Sequence, residues 1–280
     1  MNTLKTAFLL ALLTGLFLVI GQLLGGRTGI QIAFIFALIM NFGSYYFSDK
    51  IALSMYKAQE VDKMQAPELY SILERLTQKA NLPMPRVYII PQDAPNAFAT
   101  GRNPDHAAVA VTQGALNLLS QEELMGVLGH ELGHVKHRDI LISTIASTIA
   151  GTIMFVSSMI KWAALFGGLS RDDDDSSPIV LIAMAIFAPI AATLIQLAIS
   201  RSREYDADKA GAIYSGNPLY LARALEKLEN YSKNIQLKGS PATENMFIVN
   251  PFKGKSFMAL FSTHPSTEER IARLKKMVIS

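Results

Sequence analysis

Charged side chains are almost absent from the first 47 residues, where Lys5 and Arg27 separate two nearly continuous apolar runs, 6–24 and 30–47. These runs of nineteen and eighteen residues are each long enough, at about 1.5 Å per residue, to cross most of a hydrocarbon core about 30 Å thick. A secretory signal peptide competes for the first run, since Lys5 supplies a basic start. The run is too long for that, no small-x-small cleavage site follows, and a second run comes at once. Two more apolar runs lie later, 140–166, interrupted by Lys161, and 178–199, which contains Pro189 and Gln196. Between them Gly167-Gly168-Leu169-Ser170 and Arg171 precede four aspartates, Asp172 to Asp175, a turn that wants water. The pattern predicts four spans. For the second pair a buried helical hairpin is the alternative, and Lys161, Pro189 and Gln196 each need a snorkelling path or a protein-facing partner.

The remaining chain reads as one polar domain in two pieces. Residues 67–80 carry a helical pattern opened by Pro67 and stopped by Asn81-Leu82-Pro83. Residues 86–90 and 107–112 read as short strands on either side of a turn-rich stretch, 91–104. Ser120 opens the next helix, with Glu123 completing a capping box. Asn217-Pro218 starts another helix, and Ser266 with Glu269 caps a final one through Met277. The expectation is therefore a mainly α membrane protein of α+β type. It comprises two spans in 1–47, a first part of a cytoplasmic domain in 48–139, a membrane hairpin in 140–199, and the second part of the domain, with a small β-sheet overall, in 200–280.

Charge refines this picture. The chain holds 26 Lys+Arg against 23 Asp+Glu, half of it is apolar, and its mean hydropathy is +0.25. An excess of three positive charges is too small to imply a nucleic-acid surface. Lys and Arg concentrate in 48–139 and 200–280, so the positive-inside rule puts both segments and the amino terminus in the cytoplasm, with the aspartates outside. The aspartate run lacks the spaced ligands and glycine of a calcium loop. With no cysteine, the chain has no disulfide, thiolate nucleophile or Cys-ligated metal, so a metal must sit on His, Asp or Glu.

The helix opened by Ser120 runs into His130-Glu131-Leu132-Gly133-His134, two histidines four apart on one helical face with a glutamate between them. That HExxH spacing lets both rings converge on one ion, while Glu131, one position on, can reach a water beside the ion and take its proton. Only five histidines occur in the chain, which argues against coincidence on an ordinary amphipathic helix. The extended form HExxHxxGxxH would need glycine at 137 and histidine at 140, and His137 and Ile140 stand there instead. Glu204, in Ser202-Arg203-Glu204-Tyr205-Asp206-Ala207-Asp208 directly after the fourth apolar run, offers a third ligand, and Asp208, four further on, a partner for a ligand histidine. A solvated charged cap below a membrane helix is the bland reading of the same residues. Because the second hairpin is inserted between the two ligand helices, the site is expected close to the cytoplasmic membrane surface.

Together with Asn96-Ala97-Phe98-Ala99-Thr100-Gly101 and Ser262-Thr263-His264-Pro265-Ser266, these motifs and the order of apolar runs resemble the bacterial membrane-protease branch of the M48 metallopeptidases, nearly end to end. The resemblance implies a zinc endopeptidase of the cytoplasmic membrane that cuts unfolded, misfolded or damaged membrane proteins on the cytoplasmic side, in stress response and quality control. It implies one zinc per chain on His130, His134 and Glu204, with Glu131 as base. It also implies helping roles for Asn96 and His264 at the oxyanion and an edge strand at 96–101 where substrate adds. It admits self-cleavage, and its partners are substrate proteins and the lipid bilayer, with no nucleic acid. Two rivals are a CAAX-type processing peptidase, whose relatives carry more spans than this chain has runs, and a non-catalytic membrane protein with a structural metal. The second would be expected to show four protein ligands. His106 reads as a surface residue and His137 as a helix end or a neighbour of the ligands.

Overall fold

The computed structural model describes residues 2–142, 145, 201–234 and 265–279. The runs 140–166 and 178–199 lie almost wholly outside the described residues, as do the four aspartates and His264.

Helix α1, Asn2–Met55, would be about 80 Å long if straight. Instead it doubles back at Gly26, whose φ of +56° places it in the left-handed region that favours glycine. The halves then touch along their length. Gly21 and Gly29 are so close that a side chain on either would strike the other's backbone, Phe17 and Phe36 meet edge-on at 5.1 Å, and Asn41 donates to Thr14 Oγ1 at 2.8 Å. Among the described residues one stretch, Gly26–Phe47, is long and apolar enough to cross a membrane, and only 6% of its most apolar window is buried. The helix does not stop where the apolar run does. It continues to Met55 and delivers Ala52, Leu53 and Tyr56 to the polar domain.

The sheet has strands β1 (Gln59–Glu60), β2 (Arg86–Ile90), β3 (Ala97–Gly101) and β4 (Ala107–Thr112), in the order β1-β2-β4-β3. β2 and β4 are parallel and the outer pairs antiparallel. The strand β3 falls inside the stretch expected to be turns. Strand period two splits β2 and β4 between two layers. Val87, Val109 and Val111 face a core built with Leu73 and Leu76 of α2 (Pro67–Ala80) and Leu128 and Leu132 of the helix that Ser120 opens. Tyr88, Ile90, Ala108 and Ala110 face the end of α1, where Tyr56 also stacks on Phe98 at 5.2 Å. Each fully buried leucine contributes about 1.5–3 kcal/mol.

After the short α3 (Gln113–Leu118), α4 (Gln121–Lys136) starts at Ser120 with both capping-box bonds formed, Glu123 N to Ser120 Oγ at 3.3 Å and Ser120 N to Glu123 Oε2 at 2.8 Å. It packs along α5 (Arg201–Ser215) and α6 (Pro218–Asn234), and α7 (Thr267–Lys275) lies across α5 and α6. Ser266 caps α7 by accepting from Glu269 N at 3.1 Å.

Candidate active site

Glycine brings together the two helices that carry His130, His134 and Glu204. Gly129 and Gly133 of α4 face Ala207, Ala210 and Gly211 of α5, while Gly126 of α4 packs against Tyr220 and Leu221 at the start of α6. A Cβ on Gly129 would lie 3.0 Å from Gly211 O, and one on Gly211 would lie 2.7 Å from His130 N. A larger residue at Gly211 would force the two backbones apart. The close approach places Glu204, two turns before Gly211, beside the histidine pair.

The three donor groups form a triangle. His130 Nε2 and His134 Nε2 are 3.2 Å apart, His130 Nε2 is 3.8 Å from Glu204 Oε2, and His134 Nε2 is 3.6 Å from Glu204 Oε1. One face of a tetrahedral zinc site, with ligands at 2.0–2.1 Å, has edges of about 3.3 Å. The donor set and its spacing fit zinc, and these are the described residues that could hold a metal ion. Glu131 lies close enough to both histidines and Glu204 to feel their charges, and its Oε2 accepts from the backbone N–H of Ala99 at 2.9 Å.

A ring of buried charge surrounds the donors. Asp208 Oδ1 is 2.9 Å from His130 Nδ1, and Asp139 Oδ2 is 3.3 Å from His134 Nδ1. Arg270 of α7, 2% exposed, grips Asp208 through Nη2 at 2.7 Å and Nε at 2.9 Å, and its Nη1 is 3.8 Å from Glu204 Oε2. Arg203 Nη1 lies 3.7 Å from Asp139 Oδ1. Burial alone would raise the Asp208 carboxyl, but the Arg270 guanidinium and the hydrogen bond with His130 outweigh it and hold the group at about 2. Burial likewise would lower His134, yet the Asp139 hydrogen bond and the Glu204 and Glu131 carboxylates push it up to about 9. Glu131 is raised by burial, against the opposing pull of both histidines. Burial lowers Arg203 against the attraction of Asp139 and Glu204.

Asp139 and Arg270 were not singled out by sequence reasoning. Asp139 had a signal, since a carboxylate five residues past the second histidine falls where α4 ends and the chain turns back, its own N–H donating to His134 O at 2.9 Å. Arg270 had none, being one basic residue among several on an amphipathic helix. Asn96 is 3% exposed, with its backbone clamped to Thr112: Asn96 N donates to Thr112 Oγ1 at 2.8 Å, and Asn96 O accepts from Thr112 N at 2.9 Å. His137 is the exposed cap residue of α4, and His106 is exposed beside Asn103.

The sequence of residues 63–278 matches the model of peptidase family M48. The chain is 60% identical over 276 residues to a protein named "Protease HtpX homolog" in Desulforapulum autotrophicum, covering 98% of this chain and 89% of that one. It is 55% identical over 281 residues to the protein of the same name in Syntrophotalea carbinolica, covering 100% of both. In Burkholderia cenocepacia the figures are 56% over 279 residues, 99% of this chain and 97% of that one. Among solved structures, Ste24p of S. mikatae agrees in fold with a TM-score of 0.52 at 19% identity, and this chain, covered to 98%, spans 65% of its length.

Proposed function

This chain belongs to peptidase family M48, and from that premise we propose that it is an endopeptidase of the cytoplasmic membrane that cuts unfolded or misfolded membrane proteins on the cytoplasmic side. It is a membrane-associated zinc metalloprotease.

The donor triangle with Glu131 beside it carries the mechanistic reading. In this reading His130, His134 and Glu204 hold zinc, Asp208 and Asp139 fix the two rings through their Nδ1 atoms, and three protein donors leave a position open for chemistry. Bound there, zinc would supply a Lewis acid for the scissile carbonyl and for the attacking water. Glu131 Oε2 is spent on Ala99 N–H, so Oε1 is the atom that removes the water's proton and later delivers it to the leaving amine. No covalent intermediate is needed. β3 is the outer strand of the sheet, and since Ala99 N–H turns away from β4 to Glu131, the peptide groups of Ala97 and Ala99 face the side not paired with β4. An extended substrate segment pairs there, next to the base, which favours unfolded chains over folded ones. Asn96, held at the head of β3 by Thr112, and His264 assist the oxyanion.

For topology, the fold-back of α1 at Gly26 supports two spans in 1–47, and the apolar runs 140–166 and 178–199 supply a second pair. An even number of spans puts the amino terminus and both parts of the protease domain on the cytoplasmic side.

The test is proteolysis of an unfolded protein by the detergent-purified full chain with zinc, beside Glu131→Gln, which keeps the ligands and loses the base. Zinc-dependent fragments from the native chain alone are expected. An intact substrate with a zinc-loaded native chain, or undiminished cleavage by Glu131→Gln, would overturn the assignment, and equal cleavage of a tightly folded substrate would overturn the edge-strand reading.

A further inference from the structure

Where the apolar stretch of α1 ends, a cleft of about 470 Å³ opens between this helix and the sheet domain. Its helix wall is aromatic. Phe42, Tyr46 and Phe47 line it with 44–60% of their surface exposed, and the Phe42 and Tyr46 rings lie 4.4 Å apart. The facing wall is basic, with Arg86 from β2 and Arg102 directly after β3, and Lys50 stands one turn beyond Phe47.

These cations are not equivalent. Arg86 is committed to Asp49 at 2.6 Å. Arg102 instead lies over the Tyr46 ring, 5.6 Å from its centre, and Lys50 Nζ lies 5.5 Å from the centre of Phe47. Among the described residues neither Arg102 nor Lys50 is paired with a carboxylate. Asp105 is the remaining acid of the lining, so three cations face two acids.

Position gives this charge its meaning. The candidate span closes at Phe47, so the aromatic wall sits where a bilayer gives way to headgroups and the two unpaired cations sit just beyond it. Aromatic rings beside apolar helix, with an arginine and a lysine held over them and left without acids, suit a molecule with an apolar body and an anionic head. We propose that the cleft binds the headgroup of an anionic phospholipid, its phosphate between Arg102 and Lys50 and its acyl chains along Phe42 and Tyr46. The proposal rests on the reading of α1 as membrane-spanning. Because Arg102 follows β3, whose Ala99 N–H holds Glu131, an occupied cleft ties the edge strand of the active site to the membrane surface.

The experiment counts lipids retained by the purified full chain, by native mass spectrometry, after exposure to phosphatidylglycerol or phosphatidylcholine with and without excess inorganic phosphate. Phosphatidylglycerol is expected to be retained preferentially and to withstand phosphate. At about fivefold per charge, Lys50→Gln with Arg102→Gln should weaken its retention about twenty-five-fold. Equal retention of the two lipids, or no loss in the double variant, overturns the proposal, and displacement by inorganic phosphate reduces the cleft to a phosphate site and overturns the lipid assignment. Alkaline extraction of membranes reads the underlying span separately. Release of the native chain refutes the span and the proposal with it, whereas a membrane-retained chain without lipid preference refutes only the cleft.

Discussion

Replacing Gly211 by alanine would place a methyl group 2.7 Å from His130 N, 3.0 Å from His130 Cα and 3.2 Å from Gly126 O, all backbone atoms that cannot swing aside. Restoring ordinary contact, 3.4 Å or more, requires α5 to move off α4 by about 0.7 Å. Glu204 rides on the same helix, and its distances of 3.6 and 3.8 Å to the ligand rings would widen past 4 Å, too far for one tetrahedral ion. Overpacking costs about 1–3 kcal/mol, and alanine returns about 1 kcal/mol of helix propensity, so the fold should lose only about 0–2 kcal/mol. The metal site should lose about 10–100-fold in zinc affinity, about 1.4–2.7 kcal/mol, with activity falling in step. Zinc competition against a chromogenic chelator and proteolysis of an unfolded substrate, run beside thermal unfolding in detergent, separate the two effects. Gly43→Ala is the control, since nothing lies within 4 Å of its Cβ position. Native zinc affinity in Gly211→Ala would refute the argument that the glycine seam sets the ligand spacing.

Zinc binding should depend on pH through His134. Held at about 9 in the metal-free site, it carries a proton near neutrality that zinc must displace, so zinc affinity should rise about tenfold per pH unit between about 7 and 9 and then level off. The same group's contribution to the stability of the metal-free chain has the opposite trend. It is complete below about 6.5 and lost as pH rises through about 9. Chelator competition at three pH values checks the first statement, and a flat profile would sink it. Arg270→Met should destabilise the domain by about 3–5 kcal/mol, because it leaves the Asp208 carboxylate buried without its guanidinium. Adding Asp208→Asn should recover part of that loss in denaturant unfolding, and strictly additive losses would show that the pair is not coupled.

The metal-binding motif was legible because its geometry is local. Two histidines four apart on a helix must share a face, and Ser120 with Glu123 fixes where that helix begins. The same holds for the apolar runs of 1–47, for α2 with its proline start and Asn81 stop, and for β2 and β4, whose valines alternate with the period of a strand. Strand β3 was less visible. Ala-Phe-Ala-Thr-Gly has weak strand propensity and lies between prolines, and only the resemblance to known metallopeptidases marked it as an edge. It is held by its neighbour β4, by Thr112 at its head and by Glu131 at its middle, partners 6 to 32 residues away.

What the sequence determined by itself was therefore the identity of the candidate groups: a histidine pair, a glutamate one residue on, a second glutamate on a later helix, and long apolar runs to associate the chain with a membrane. What only the tertiary structure decided was how those groups are held. Arg270 meets Asp208 across 62 residues, Asp139 reaches back to His134 where α4 turns, and α1 folds over at Gly26 to set Thr14 against Asn41. The physical reason is that hydrogen bonding and side-chain period act within a few residues and leave a repeating trace in the chain. A buried ion pair or a glycine-to-glycine approach depends on two distant backbones being fixed first by packing, and a single arginine or glycine carries no mark of the partner it will meet.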